Sequence, residues 1–292
     1  MNLAPAGMFP DATIAHDLNL IDGELARLTA RRDGVGSSDV AAVMGNSNYH
    51  TPLSLWEDKT GRTPIDTVSS EAAEWGHRLE PVVATAFAER FGGELFDAPY
   101  ILQSNDCPWH LASPDFVIVP QQRPELVEVK CRRFPWDDGP PQDIVDQVVW
   151  QMHVTGIEKA HIVVLVSGQE MPPPYSMMAD PERASVLTAA VDEFWAHVQF
   201  DEPPPPKAVD TYRMIPGPGE LLLPAELLEN LIAANELKAQ IKELSDRRNE
   251  LHAPVQVAMA DYEKAVTPDG KTAATFKKGA KSRTFLPKEI DA

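Results

Sequence analysis

Two short runs of apolar residues that carry acidic side chains constrain the fold of this chain more than any other feature. The runs SPDFVIV (113–119) and ELVEVK (125–130) are separated by only five residues. So short a connection allows the two predicted strands to pair only as an antiparallel hairpin. Alternate residues of a strand share a face, so Glu128 and Lys130 project together. The hairpin therefore predicts that Asp115, at the start of the first strand, comes near Glu128.

These residue types in this arrangement suit the chemistry of a hard divalent cation. Asp115, Glu128 and the carbonyl of Val129 form an all-oxygen ligand set, which Mg²⁺ and Mn²⁺ prefer. A lysine beside such a site, here Lys130, can orient an attacking water or neutralise charge in a phosphorane-like transition state. Charged residues on neighbouring strands more often form a solvated face with a surface ion pair. The hairpin alone therefore leaves both interpretations open.

A third carboxylate precedes the hairpin on a predicted helix over residues 70–91. Glu80 lies in the segment WGHRLEP, where it can complete a metal shell or stand as an exposed helical glutamate. Four-residue spacing predicts one buried helix face, formed by Trp75, Leu79, Val83 and Phe87. Pro81 predicts a kink or a restart of the helix near Glu80, because proline lacks the backbone donor of the helix interior.

Two further pairs of polar residues can bind a ligand. Gln147 and Gln151 lie one turn apart on a predicted helix after the hairpin, where their amides can hold water, carboxylate or phosphate. Arg31 and Ser38 flank a turn of small residues at a helix start, a suitable site for phosphate. The alternatives are an ordinary polar helix face for the glutamines and a simple N-cap for the serine.

The remaining pattern predicts an α/β (α+β) fold, with a central mixed β-sheet flanked by helices. Further strands are predicted over 94–103 and over the apolar run AHIVVLVSG, a run typical of the centre of a sheet. We expect a main domain over 1–205, a Pro-rich linker over 206–223 and a third segment over 224–292. That last segment comprises a long helix over 224–265 and a basic tail that can form a hairpin. The helix carries a narrow apolar seam of Leu237, Ile241, Leu244 and Leu251.

Composition limits the function classes. The formal net charge of −18 argues against a protein that coats nucleic acid through bulk positive charge, but it allows an enzyme with a local basic groove and bound metal. Cys107 and Cys131 cannot by themselves form a disulfide framework or a four-ligand zinc site. We read no metal-ligand spacing among His77, His110, His153 and His161, and assign them structural roles. Without a secretory signal or an apolar run long enough to span a bilayer, we expect a cytoplasmic protein.

Taken in order, the motifs resemble a known family. They are R-x6-S-D from Arg31, W-G-x3-E-P, S-P-D, E-x-K and Q-V-x2-Q-M-x-V-T-G from Gln147. Together they resemble the YqaJ-like viral recombinases, relatives of phage lambda exonuclease in the PD-(D/E)XK nuclease superfamily. The resemblance extends from about Arg31 to Val198 and implies the restriction-endonuclease-like core of that superfamily. Two departures are S-P-D-F in place of the frequent S-P-D-G, and the long helix and basic tail.

The resemblance implies a role for each site residue. It implies that Asp115, Glu128 and the Val129 carbonyl bind two Mg²⁺ ions, with Mn²⁺ as a substitute, and that Glu80 assists the second ion. Lys130 would position the nucleophilic water.

Gln147 would support this centre, with Gln151 as a further support. Arg31 and Ser38 would receive the 5′-phosphate of the recessed DNA strand.

The implied activity is that of a Mg²⁺-dependent 5′-to-3′ exodeoxyribonuclease. It would act on linear double-stranded DNA ends and leave 3′ overhangs for phage-type recombination by strand annealing. The implied partners are DNA ends, a single-strand annealing protein of the RecT or Bet type and further copies of the chain, in a homo-oligomer such as a trimeric ring. The cytoplasm would be that of the host if the protein is phage-encoded. The alternatives are an endonuclease or 3′-directed nuclease of the same fold, and an inactive assembly protein that uses the 224–265 helix.

Overall fold

A computed structural model describes residues 1–47, 49–67, 70–210, 220–278 and 283–288. The chain divides into two units, Met1–Ile215 and Pro216–Ala292. The domain boundaries expected from the sequence stay a prediction, and residues 211–219 of the predicted linker lie outside the described residues. Before them, Asp210 accepts a hydrogen bond from Thr51 Oγ1 at 2.6 Å, so this part of the predicted linker is attached to the first unit.

The first unit is built on a six-stranded mixed sheet. Its strands, in spatial order, are β1 (Asn2–Leu3), β3 (Glu94–Asp97), β6 (Phe116–Val119), β7 (Glu125–Arg132), β8 (Lys159–Val166) and β9 (Tyr175–Met178). The pairs β1–β3 and β7–β8 are parallel, and the other pairs are antiparallel. β7 and β8 are central strands. β8 is apolar from Ile162 to Val166, as a strand covered on both sides requires, whereas β7 carries the charged side chains of Glu128 and Lys130 on one face.

A second sheet of three strands contains β2 (Ala12–Asp17), β4 (Tyr100–Ser104) and β5 (Leu111–Ala112). The single strand predicted over 94–103 is therefore wrong, because the run is two strands of different sheets. Ala98 and Pro99 separate them, and proline cannot donate to a ladder.

Helices cover the main sheet on both faces. The α-helices described in this unit are α1 (Glu24–Ala30), α2 (Val40–Val43), α3 (Pro52–Lys59), α4 (Glu71–Phe91), α5 (Gln142–Thr155) and α6 (Pro181–Phe200), of which α4 and α5 contact the main sheet directly. α4 packs through Val83 and Phe87 against Val127 and Val129 of β7. α5 and α6 pack together on the other side, in a core that includes the fully buried Trp150. The predicted α/β architecture, a central mixed sheet flanked by helices, is confirmed.

Two details of α4 differ from the predictions. The helix runs unbroken from Glu71 to Phe91 through Pro81, so the restart near Glu80 is wrong. Trp75 is 55% exposed, not buried. The buried residues of α4 all follow Pro81, which means that only the second half of the helix lies on the sheet. Periodicity indicates which side of a helix is apolar, but it does not give the extent of the surface beneath it.

The second unit consists of one long helix and a small sheet. α7 (Ala225–Ala258) is followed by β10 (Lys264–Val266), β11 (Thr272–Lys278) and β12 (Arg283–Pro287), which pair antiparallel in sequence order. The helix predicted to reach residue 265 therefore ends at Ala258. The described residues of α7 include none that is buried, and its seam of Leu237, Ile241, Leu244 and Leu251 is exposed. Residues 279–282 and 289–292 of the predicted basic tail lie outside the described residues.

Among the helices of the described ranges, none combines the length and apolar character that a membrane span requires.

Candidate active site

The hairpin of β6 and β7 places two carboxylates side by side. Phe116 pairs with Val127 in the antiparallel register, so Asp115 lies opposite Glu128. Asp115 Oδ2 accepts a hydrogen bond from the backbone N–H of Val129 at 2.8 Å. This bond fixes the Asp115 carboxylate at the edge of β7, beside the residue whose carbonyl was predicted as a metal ligand.

Glu128 is almost completely buried and strongly anchored. It is 2% exposed. Its Oε1 accepts from Lys130 Nζ at 2.6 Å and from Gln147 Nε2 at 2.7 Å, and its Oε2 accepts from Gln151 Nε2 at 2.8 Å. Lys130 Nζ also donates to Gln147 Oε1 at 3.2 Å. A carboxylate held by one ammonium and two amides has a fixed orientation, as a metal ligand needs.

Both glutamines reach Glu128 because α5 packs against β8, the neighbour of β7, and the helix face that they share points toward Glu128. Gln147 is half-buried at the cleft, whereas Gln151 is fully buried. Gln151 Oε1 has no hydrogen-bond partner within the described part of the chain. The alternative of an ordinary polar helix face is therefore wrong for these two residues.

The charges of the site are unbalanced. Burial and then the negative charges of Glu128 and Glu80 raise the pKa of Asp115 well above its ordinary value. Burial by itself would lower the pKa of Lys130, but the charge and hydrogen bond of Glu128 outweigh it, so the pKa of Lys130 is raised and its ammonium stays protonated. Three carboxylates thus share one protein cation. A divalent cation fits this donor set, since it would supply the missing positive charge and favour the ionised form of Asp115.

Glu80 reaches the same site from α4. Its side chain is 26% exposed, and its Oε1 lies 3.2 Å from Nδ1 of His77, a contact that the sequence did not predict. Glu80 and His77 line the same cavity as Asp115, Glu128 and Lys130.

The predicted phosphate-binding pair opens onto this cavity as well. The cavity has a volume of about 700 Å³, and Arg31 and Ser38 are among its lining residues. Arg31 Nη2 donates to Ser38 Oγ at 2.7 Å. Arg27, one turn earlier on α1, adds a second guanidinium to the lining, and Ser37 adds a buried hydroxyl whose Oγ has no partner within the described residues. Sequence reasoning passed over Arg27, although its four-residue spacing from Arg31 was a usable signal.

A buried ion pair supports this part of the cavity. Lys59 Nζ donates to Asp39 Oδ2 at 2.6 Å and to the backbone carbonyl of Arg31 at 2.8 Å. Asp39 Oδ2 also accepts from the N–H of Gly36 at 3.0 Å. Burial would raise the pKa of Asp39, but the charges of Lys59 and Arg31 outweigh it, so the pKa is lowered. No local pattern connects Lys59 with Asp39, and the sequence analysis missed this pair.

Comparison with known proteins gives one family and a few relatives. Residues 28–158 match the YqaJ-like viral recombinase domain, and this range contains every predicted site residue. The chain is 33% identical over 175 residues to the uncharacterized protein YqaJ of Bacillus subtilis (strain 168); the match covers 58% of this chain and 54% of that protein, about half the relative's length.

Among solved structures, an alkaline exonuclease (LHK-Exo) from Laribacter hongkongensis is similar at 20% identity, 60% and 92% coverage of the two chains and a TM-score of 0.48. A phage related exonuclease from Haemophilus somnus 129PT is similar at 10% identity, 57% and 96% coverage and a TM-score of 0.39.

Proposed function

We propose, from the premise that residues 28–158 form a YqaJ-like viral recombinase domain, that the cleft at Asp115 and Glu128 hydrolyses phosphodiester bonds of DNA. The observation that carries this proposal is the convergence of two charge patterns in one cavity. Asp115, Glu128 and Glu80 surround one lysine, while Arg31 and Ser38 line the same space. The first group suits a cation and the second an anion, and a nuclease that starts from a phosphorylated end needs both.

The residues present fit magnesium. Asp115, Glu128, Glu80 and the Val129 carbonyl would hold it, and we propose two ions because three carboxylates line one cavity. Mn²⁺ prefers the same ligands and would substitute. When bound, Mg²⁺ polarises the phosphate and lowers the pKa of a coordinated water.

Lys130 and the two glutamines do the positioning in this proposal. Because Glu128 keeps the Lys130 ammonium protonated, Lys130 donates hydrogen bonds to the attacking water or to a phosphate oxygen, where negative charge develops. Gln147 bonds both Lys130 and Glu128, and thereby fixes the distance between them. Gln151 holds the opposite oxygen of Glu128. These hydrogen bonds therefore hold Lys130 and Glu128 in the orientation that the proposed reaction needs before DNA binds.

The proposed phosphate pocket supports a 5′-to-3′ polarity of digestion. Arg31 would form charge-assisted hydrogen bonds with a terminal 5′-phosphate, with the Ser38 hydroxyl beside it. Lys59 holds the backbone of Arg31 and the carboxylate of Asp39, so the pocket keeps its shape without substrate. A 5′ terminus bound here, with the metal ligands in the same cavity, gives 5′-to-3′ digestion that leaves a 3′ overhang.

The acidic composition of the chain limits how it can bind DNA. With a net charge of −18, the chain has little bulk attraction for DNA, so binding depends on local groups such as Arg27 and Arg31. A ring of subunits would retain DNA without bulk positive charge, and we extend the proposal to a homo-oligomer, a trimeric ring in its simplest form. The overhang would pass to a single-strand annealing protein in recombination, in the cytoplasm.

An end-labelled duplex assay tests the proposal. Linear DNA with 5′-phosphate ends, linear DNA with 5′-hydroxyl ends and closed circles are incubated with Mg²⁺ and either the wild type or Asp115→Asn. We expect digestion of linear DNA from the 5′ end, preference for the phosphorylated end, and no activity in Asp115→Asn. Cleavage of closed circles would favour an endonuclease, and release of label from 3′ ends a 3′-directed enzyme. An inactive wild type would favour an assembly protein. Activity in Glu128→Ala and Lys130→Ala equal to that of an active wild type would overturn the catalytic assignment.

A further inference from the structure

A second cluster of metal-ligating side chains lies outside the proposed active site. Cys107 and His110 occupy the loop between β4 and β5, and Asp192 lies on α6. One ligand atom from each residue, a thiol sulfur, an imidazole nitrogen and a carboxylate oxygen, lies within 4.8 Å of the other two. His110 in the loop and Asp192 on the helix are 82 positions apart in the sequence.

The loop is shaped to present two of these ligands together. His110 N–H donates to the Cys107 carbonyl at 3.0 Å, which closes a tight turn, and Ser104 N–H donates to the His110 carbonyl at 3.0 Å. The turn gives the spacing Cys-x2-His, which is as short as the Cys-x2–4-Cys spacing of structural zinc sites. His110 was predicted to have a structural role, because no metal-ligand spacing relates it to the other histidines.

The third ligand is already held in position. Asp192 Oδ1 accepts from Trp109 Nε1 at 2.8 Å and lies 2.8 Å from His110 Nε2. The His110 ring is 1% exposed and stacks edge-on against Trp150, with 4.7 Å between the ring centres. An imidazole packed so tightly cannot swing away, and the Trp109 indole is the kind of second partner that orients a ligating carboxylate.

We propose that Cys107, His110 and Asp192 bind one Zn²⁺ ion that ties the β4–β5 loop to α6. The ligands select the metal: thiolate and imidazole suit zinc, whereas the oxygen-only site at Asp115 suits magnesium. Zinc bonds of about 2.0–2.3 Å bring ligand atoms to about 3.4–3.8 Å from one another, which small side-chain rotations achieve from the present arrangement. Cys107 and Asp192 are partly exposed, so water would supply the fourth ligand that the three side chains leave open.

The position of the site gives it a structural role. The segment after Cys107 pairs with the chain before the phosphate pocket: Val35 N–H donates to the Trp109 carbonyl at 2.8 Å, and Leu111 N–H donates to the Val35 carbonyl at 3.0 Å. Zinc would therefore stabilise the β4–β5 loop, α6 and the start of the pocket together. The proposal does not depend on nuclease activity.

Cobalt titration tests the site directly. Metal-free protein is titrated with Co²⁺ in excess Mg²⁺, which occupies the oxygen-only site. A thiolate bound to Co²⁺ gives a charge-transfer absorption band that oxygen ligands do not give. We expect the band to saturate at one equivalent in the wild type and in Cys131→Ser, the control for the other free cysteine. It should be absent in Cys107→Ser. Asp192→Asn, which retains the shape of the side chain, should weaken Co²⁺ binding by at least about tenfold.

Thermal unfolding gives an independent readout and a check on folding. Zn²⁺ should raise the Tm of the wild type and of Cys131→Ser, but not that of Cys107→Ser, because a ligand stabilises only the state that binds it. Circular dichroism without metal shows whether each variant folds. If Cys107→Ser does not fold, the result for Asp192→Asn tests the zinc site. The proposal is overturned if the wild type gives no charge-transfer band, or if the band survives in Cys107→Ser or Asp192→Asn binds as tightly as the wild type.

Discussion

Asp39 and Asp115 serve two parts of one cavity, and their pKa values shift in opposite directions. Burial disfavours the charged form of both. At Asp39, Lys59 and Arg31 overcome burial and lower the pKa. At Asp115, Glu128 and Glu80 add to burial and raise the pKa. The charge of the same residue type is thus balanced beside the proposed phosphate pocket and unbalanced in the proposed metal site.

The difference shows where each part of the cavity needs a ligand. The pocket around Arg31 has more protein cations than it needs to balance Asp39, so it can accept an anion. The site around Asp115 has more carboxylates than Lys130 can balance, so it can accept a cation. A cavity with an excess of positive charge in one part and an excess of negative charge in the other fits the proposed binding of a DNA end together with metal ions.

The largest expected effect comes from neutralising the metal site. Glu128→Gln keeps the size of the side chain but removes a charged ligand and the partner of Lys130. We expect cleavage to fall by at least about 10³-fold, since even one electrostatic donor is worth about 10²–10³-fold. Single-turnover digestion of a 5′-phosphorylated duplex over a range of Mg²⁺ concentrations measures it.

Asp97→Asn is the matched control for that loss. Asp97 lines the same cavity, and burial raises its pKa, but it does not bond Glu128 or Lys130 among the described contacts. A similar loss in Asp97→Asn would mean that the cavity responds to any change of charge, and the comparison of its two parts would fail.

The second prediction concerns the anion-binding part. Arg31→Gln should reduce kcat/KM on 5′-phosphorylated ends by about 10–100-fold, the cost of losing hydrogen bonds to a charged group, with little change on 5′-hydroxyl ends. Arg32→Gln is the control, since Arg32 pairs with Asp58 instead. If both variants keep the wild-type preference for phosphorylated ends, Arg31 does not bind the terminal phosphate.

The third prediction uses pH and stability. Because the folded pKa of Asp39 lies below its ordinary value of 3.8, its stabilisation is complete above that value and is lost as pH falls through the folded pKa. Asp39→Asn should therefore lower the free energy of unfolding at pH 7 by about 1.5–3 kcal/mol, a charged hydrogen bond's contribution, and by less in acid.

Asp115→Asn should have the opposite effect on stability. Its folded pKa lies above 3.8, so the ionised carboxylate destabilises the fold increasingly as pH rises from 3.8 through the folded pKa. In chelator at pH 7 the variant should be more stable than the wild type. Urea unfolding at several pH values measures both variants, and shifts of the same sign would contradict the contrast between the two aspartates.

How far the sequence predicts the site depends on the distance between the residues involved. Asp115, Glu128 and Lys130 lie within one hairpin, and its short connection and alternation are enough to bring them together. Glu80, Arg31 and Ser38 lie far away along the chain, and only the resemblance to a family connected them with the hairpin. The pair Lys59 and Asp39 had neither signal.

The errors in the fold have the same origin. Apolar spacing gave the helix containing Trp75 but not where the sheet beneath it ends. The run over 94–103 has the composition of one strand, and its division between two sheets depends on partners elsewhere in the chain. The helix predicted to reach residue 265 was too long because Lys264–Val266 pairs with β11, a partner that the local pattern does not contain.

The smallest effect should come from Gln151, which acts on the metal only through Glu128. Gln151→Leu removes the hydrogen bond to Glu128 Oε2 but also removes an unpaired buried oxygen, so the two changes in stability partly cancel. We expect the Mg²⁺ concentration for half-maximal rate to rise about tenfold, with kcat at saturating Mg²⁺ nearly unchanged. Tenfold is the lower end of the range of effects for loss of a residue that holds a metal ligand.

Thr155→Val, which deletes another buried polar group of α5 that bonds a backbone carbonyl, should leave the Mg²⁺ requirement unchanged. A fall in kcat without a change in Mg²⁺ requirement would mean that Gln151 does not act by orienting Glu128 for the metal.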